Sequence, residues 1–145
     1  MVRHAGPGDA GALLRLRLAL WPEDAALHQA DLDTFFAGQS RHALAQLVAE
    51  EGGELVGFAE LSIRHYAEEC STDRVAFLEG WYVAPAWRRR GIGRALVAAA
   101  EAWGRAQGCT EFASDTQADN HASAAAHLAL GFSDAGAVRC FRKNL

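Results

Sequence analysis

Hydrophobic positions change their spacing several times along this chain, and each change marks an element. Leu13, Leu16 and Leu20 recur at the interval of a helix that Asp9 can cap and that extends to about Trp21, with Arg15 and Arg17 off the stripe. Pro22 interrupts the pattern; Glu23 to Phe36 reads as a second helix closing at Gly38, its apolar face running through Leu27, Leu32 and Phe35/Phe36. The period then becomes extended. Ala43 to Glu50 and Glu54 to Arg64 are strands joined by a tight hairpin at Gly52-Gly53, and Val2 to Ala5 is a short opening strand. Tyr66 to Arg74 is polar and irregular, which predicts an exposed loop, whereas Val75 to Val83 is apolar on both faces and predicts a strand central in the sheet. Ile92, Leu96, Ala99 and Trp103 mark a helix from Gly91 to Gln107, Glu111 to Thr116 a further strand, and Asn120 to Leu130 an alanine-rich helix. The remainder through Arg142 reads as two short strands around Gly136. The fold class is therefore mixed α/β.

Length and composition narrow the class. The 145 residues fit one domain spanning 1–145, and 50% hydrophobic with 22% charged residues is the balance of a globular protein. A net charge of -4 speaks against nucleic acid as the main partner and suits a cationic one. No basic segment followed by an apolar run opens the chain, and no stretch nears the roughly 18 apolar residues needed to cross a bilayer, so a cytoplasmic protein without membrane association is expected. Cys70, Cys109 and Cys140 are too widely spaced for a disulfide framework or a zinc knuckle and read as buried or idle thiols. His121 and His127, six apart with no cysteine nearby, do not form a metal-binding helical pair, and no metal is expected.

The most informative stretch runs from Trp81 through Tyr82, Val83, Pro85 and Arg88-Arg89-Arg90-Gly91-Ile92-Gly93-Arg94 to Leu96. A strand ends at a proline, three arginines follow, and two glycines open a helix. That arrangement can cradle a pyrophosphate: the glycines allow close backbone approach, first-turn N–H groups donate, and the helix dipole with Arg88, Arg90 or Arg94 adds positive charge. A Walker loop needs Lys-Ser/Thr after the second glycine, where this chain has Arg94-Ala95; a dinucleotide fingerprint needs a third small residue where it has Leu96.

Arg88 to Gly93 resembles the acetyl-CoA signature of the GNAT acetyltransferases, Arg/Gln-x-x-Gly-x-Gly/Ala, in its place after the central strand. A second element of that superfamily matches downstream, where Asn120 precedes a helix ending Leu128-Ala129-Leu130-Gly131-Phe132. The resemblance implies a mostly antiparallel central sheet flanked by helices, acetyl-CoA as co-substrate, and backbone groups around Tyr82 and Val83 offered to its pantetheine arm. It narrows to the aminoglycoside 6′-N-acetyltransferases through Leu20-Trp21-Pro22, Ser62-Ile63-Arg64-His65, Phe77-Leu78-Glu79-Gly80, Ala113-Ser114-Asp115-Thr116 and Leu130-Gly131-Phe132. By this resemblance Trp21, Tyr66, Glu79 and Asp115 receive a polycationic aminoglycoside, acetylation of its 6′-amine confers resistance, and the enzyme is a homodimer. Within the superfamily a polyamine, amino sugar or peptide amine is the alternative acceptor; a non-catalytic acetyl-CoA sensor is the alternative class.

An amine acceptor is protonated near neutral pH and must lose a proton before attacking a thioester. Glu79, in an otherwise apolar strand just before Gly80, is the candidate acceptor of that proton, since a glycine inside a strand suggests a bulge. The competing readings are a solvent-facing Glu79 or one paired with an arginine. Asp115 either helps to anchor the cation or caps a turn, and Glu68/Glu69 can add to an acidic rim. Many superfamily members carry a tyrosine, able to protonate the departing thiolate, where this chain has His127. A histidine can serve, or His127 is a core residue bonded to backbone; Tyr66 is the alternative donor.

Overall fold

The computed structural model describes residues 1–145. Five strands form one sheet in chain order: β1 (Val2–His4), β2 (Ala45–Glu51), β3 (Glu54–Arg64), β4 (Val75–Val83) and β5 (Phe112–Ser114). Neighbours from β1 to β4 are antiparallel, and only β4 and β5 run parallel. Their connection is the helix α3 (Ile92–Ala106), as a parallel pair requires a crossover. This is the mostly antiparallel sheet flanked by helices that the resemblance implies.

Side-chain alternation sends the two faces of the sheet to different helices. Leu47, Ala49, Ala59, Leu61 and Leu78 form one face and are covered by Leu96, Val97 and Ala100 of α3. Val48 and Phe58, each one residue out of phase with that set, point the other way. There they meet Leu13 and Leu16 of α1 (Ala10–Leu20) and Leu32 of α2 (Ala25–Phe36). Along β3 that second face runs Phe58, Glu60, Ser62, Arg64, so it turns from core to polar surface as the strand proceeds.

Asp9 does not cap α1 with its side chain: the carboxylate accepts from the Gly6 amide at 2.8 Å and from Arg3 at 2.7 Å. Two further expectations need correction. The inward face of α2 carries His28 and Leu32, whereas Leu27 is exposed. Asp24, at φ 61°, turns the chain before the helix begins at Ala25, and the resulting helix phase puts positions 28 and 32, one turn apart, against the core. The second concerns residues 133–142, which form no strand. A strand exists only by pairing, and none of residues 132–145 pairs with the sheet, whose β5 edge stays open; Val138 and Phe141 stand exposed, Phe141 at 87%.

Candidate functional site

β4 and β5 pair over only three residues each, ending at Leu78 opposite Ser114. Beyond that point the edge of Glu79–Val83 facing β5 has no partner strand, and the sheet opens into a notch with Glu79 on one side and Asp115, just past Ser114, on the other. The expected bulge is present. Glu60 lies opposite Gly80 and Leu61 opposite Leu78, which leaves Glu79 as the extra residue on β4. Gly80 has a packing reason as well: a Cβ there would sit 2.4 Å from Cη2 of Trp21. Trp21 thereby packs the outer edge of its ring against the strand, stacked on His28 and edge-on to Phe58, as a wall of the site.

The bulge turns Glu79 toward β3. Its Oε1 accepts hydrogen bonds from the Ser62 hydroxyl at 2.5 Å and from Arg64 Nε at 2.9 Å, and its Oε2 accepts from Arg64 Nη2 at 2.7 Å. Of the readings open for Glu79, pairing with an arginine is the one realised in the free protein. The Arg64 guanidinium is pushed above its ordinary range, first by the hydrogen bond to Glu79 and further by the charges of Glu79 and Asp115, so Asp115 lies within electrostatic reach of the pair. Arg64 also stacks over Phe77, 3.6 Å from the ring centroid.

Ser62, Arg64, Glu79, Glu60, Arg41 and His42 line a cleft of about 420 Å³. Glu60 at its inner end is not free: it accepts from the buried Arg17 and from Gln46 Nε2 at 2.6 Å. A larger groove, about 550 Å³, lies between β1 and α3, walled by Leu47, Ala99 and Trp103. It holds no carboxylate and no candidate residue, so chemistry rather than volume identifies the site. Arg41 and His42 carry no functional signal in the sequence, and Ser62 and Arg64, although part of a block that carries the resemblance, had no role assigned to them. The period-two series Glu60, Ser62, Arg64 beside an acidic strand was the available hint.

The candidate proton donors differ in placement. Tyr66 is 67% exposed and its hydroxyl donates to Glu68 at 3.1 Å, which raises its pKa above the ordinary phenol range. His127, in α4 (His121–Ala129), is held at both nitrogens: Nδ1 lies 2.7 Å from the Ser123 carbonyl and Nε2 2.8 Å from Ser114 Oγ, at the vertex of the notch. Its ring packs edge-on to Trp81 and Phe132. Asn120 caps α4, its side-chain oxygen accepting from the Ser123 amide at 3.0 Å.

At the head of α3 the two glycines serve different needs. Gly91 has φ 84°, a left-handed turn that Arg89 shares at φ 60°, so Gly91 shapes the loop. Gly93 is needed for packing, because a Cβ there would meet Cζ2 of Trp81 at 3.1 Å. Ala95 is the first amide of the helix bonded back, to Gly91, so the amides of Ile92, Gly93 and Arg94 point outward at the positive end of a fifteen-residue helix. Such a turn suits a diphosphate. Arg88 folds back, its Nε donating to the Val83 carbonyl at 2.8 Å, and Arg90 stacks on Trp87; Arg89 and Arg94 make no side-chain bond.

Comparison with known proteins agrees with this geometry. The profile of the acetyltransferase (GNAT) family matches residues 12–132. An aminoglycoside N(6′)-acetyltransferase type 1 of Klebsiella aerogenes is 53% identical, over 100% of this chain and 97% of that protein. One of Stenotrophomonas maltophilia is 43% identical, over 99% and 93%. Among solved structures, AAC(6′)-Iy in complex with the bisubstrate analogue CoA-S-monomethyl-acetylneamine superposes with a TM-score of 0.93 at 37% identity, covering 100% of this chain and 98% of that one.

Proposed function

The chain belongs to the acetyltransferase (GNAT) family, and from that premise we propose that it transfers an acetyl group from acetyl-CoA to the 6′-amine of aminoglycosides. The observation that carries this reading is the notch between β4 and β5, flanked in the backbone by Glu79 and Asp115, with the head of α3 packed on Trp81 of β4. In the notch the backbone around Tyr82 and Val83 receives the pantetheine arm, chiefly through the Val83 amide, since Tyr82 pairs with Phe58 of β3 and the Val83 carbonyl accepts from Arg88. Asn120 belongs to the cofactor side of the site, and the loop from Arg88 to Gly93, with Arg94, holds the diphosphate. The outward amides of Ile92, Gly93 and Arg94 support that assignment.

The acceptor enters as an ammonium ion. Glu79 takes one proton, directly or through a water, and the freed nitrogen attacks the thioester carbon; the carbon–sulfur bond breaks, the thiolate departs, and the second proton that the nitrogen sheds on becoming an amide balances the one that the thiolate takes up. Trp21 and Asp115 hold the cationic sugar, with Tyr66 at the outer side. For the proton returned to sulfur, His127 is the better placed donor, because it reaches Ser114 at the vertex whereas Tyr66 is exposed and holds its proton more tightly. Acetylation removes a positive charge, and aminoglycoside binding to RNA depends on that charge, so resistance follows.

Purified protein is expected to release thiol from acetyl-CoA only with aminoglycosides that carry a 6′-amine. Turnover of spermidine or a short peptide in their place would transfer the reading to another amine, and CoA binding without any turnover would make the protein a sensor.

The assembly proposed is a homodimer, in the cytoplasm; the dimer is supported by residues 132–145, which pair with no strand and leave Val138, Phe141 and Leu145 exposed, and by the open outer edge of β5. Light scattering should give twice the mass of the chain, and removal of residues 133–145 should give a monomer. A full-length chain that scatters as a monomer would end this reading.

A further inference from the structure

A carboxylate offers about four acceptor positions, two on each oxygen. On Glu79 three are taken: both on Oε1, by Ser62 and by Nε of Arg64, and one on Oε2, by Nη2 of Arg64. Arg64 is itself fixed, stacked on Phe77, which is buried in β4. Ser62 is buried too. The clamp therefore comes from the strand facing the bulge, and it leaves Oε2 with a single open acceptor position.

We propose that Arg64 is a positioning and specificity-determining residue of the acetyl transfer: with Ser62 it pins the Glu79 carboxylate so that one acceptor position on Oε2 is presented to the incoming amine, and its charge limits how strongly the cleft attracts cations. The inference deepens the reading of Glu79 as proton acceptor and rests on it. Two effects of opposite sign are built into one side chain. The guanidinium fork sets geometry, which acts on kcat; the positive charge opposes a polycation, which acts on KM. A residue that merely braced the fold would not separate them.

The test is steady-state kinetics with an aminoglycoside bearing a 6′-amine, at low and at raised ionic strength, with CoA affinity and thermal melting as checks on folding. Arg64→Met is expected to lower kcat at least about tenfold and at the same time to lower KM several-fold, the KM gain shrinking in salt. Arg64→Lys keeps the charge without the fork, so KM stays near the wild-type value while kcat remains low; should Arg64→Met fail to fold, Arg64→Gln carries the same expectation. Ser62→Ala lowers kcat alone. In a Glu79→Gln background, Arg64→Met should cost no further kcat.

An unchanged kcat in Arg64→Met, or a KM that rises, overturns the proposal. So does a full second loss of kcat when Arg64→Met is added to Glu79→Gln, and in that case the reading of Glu79 survives. Wild-type kcat in Glu79→Gln alone removes the reading of Glu79 and this inference with it.

Discussion

Glu79→Gln is expected to lower kcat about 100-fold or more while the protein still folds and binds CoA. The amide has the size of the carboxylate and no capacity to take a proton from an ammonium ion at neutral pH. It also places an N–H donor where Arg64 now donates, so one of the three bonds that hold the side chain is lost. The effect should fall on kcat more than on KM, because aminoglycoside binding keeps Asp115 and the Trp21 wall, and proton acceptance is needed only as the nitrogen attacks. Thiol release from acetyl-CoA, measured beside Asp115→Asn, checks this. Asp115→Asn should chiefly raise KM. A Glu79→Gln enzyme with wild-type kcat would mean that the amine loses its proton elsewhere.

The second large effect concerns stability. Arg17→Met should destabilise the protein by about 3–5 kcal/mol, the range for removing one partner of a buried ion pair. Arg17 and Glu60 have side chains only 5% and 13% exposed, and Arg17 supplies the one cation bonded to that carboxylate; Gln46 adds a neutral donor. Asp31, the other partner of Arg17, is mostly in water and contributes little. The double variant Arg17→Met/Glu60→Gln removes the stranded charge and should recover most of the loss. Urea unfolding at pH 7 gives both values, and a loss below about 1 kcal/mol would put the pair in the class of surface ion pairs. The same variant informs on the site, since Glu60 lines the cleft that Glu79 shares.

Local chemistry is what the sequence makes legible. The bounds of β3 and β4 follow from a glycine pair, a polar loop and a proline, and the head of α3 from its arginines and glycines. Glu79 stood out as an acid in an apolar strand, and Gly80 pointed to the bulge that is present. What could not be read is partnership across the sheet. Register decides that Ser62 and Arg64 face Glu79, and a bulge shifts register by one residue without leaving a signal at the positions it brings together. Helix phase hid His28 behind the more apolar Leu27 for a similar reason: an irregular turn at Asp24 sets the rotation of α2, and apolarity alone does not. For residues 133–142 the alternation was strand-like, but a strand depends on an edge to pair with, and that information lies outside the segment.

Trp81 ties together two parts of the molecule that are easily treated as separate. Its indole fills the space that a side chain at position 93 would need, and it stands on β4 two residues beyond Glu79. Any larger residue in the second glycine position of the loop would push on the strand that carries the carboxylate. A change that retunes the grip on one substrate is therefore felt at the other, and the two halves of the site are free to drift only in concert. For anyone redesigning acceptor choice, the tolerant positions are Arg41 and His42, which line the cleft ahead of β2 and can be altered without moving that indole or loosening the clamp on Glu79.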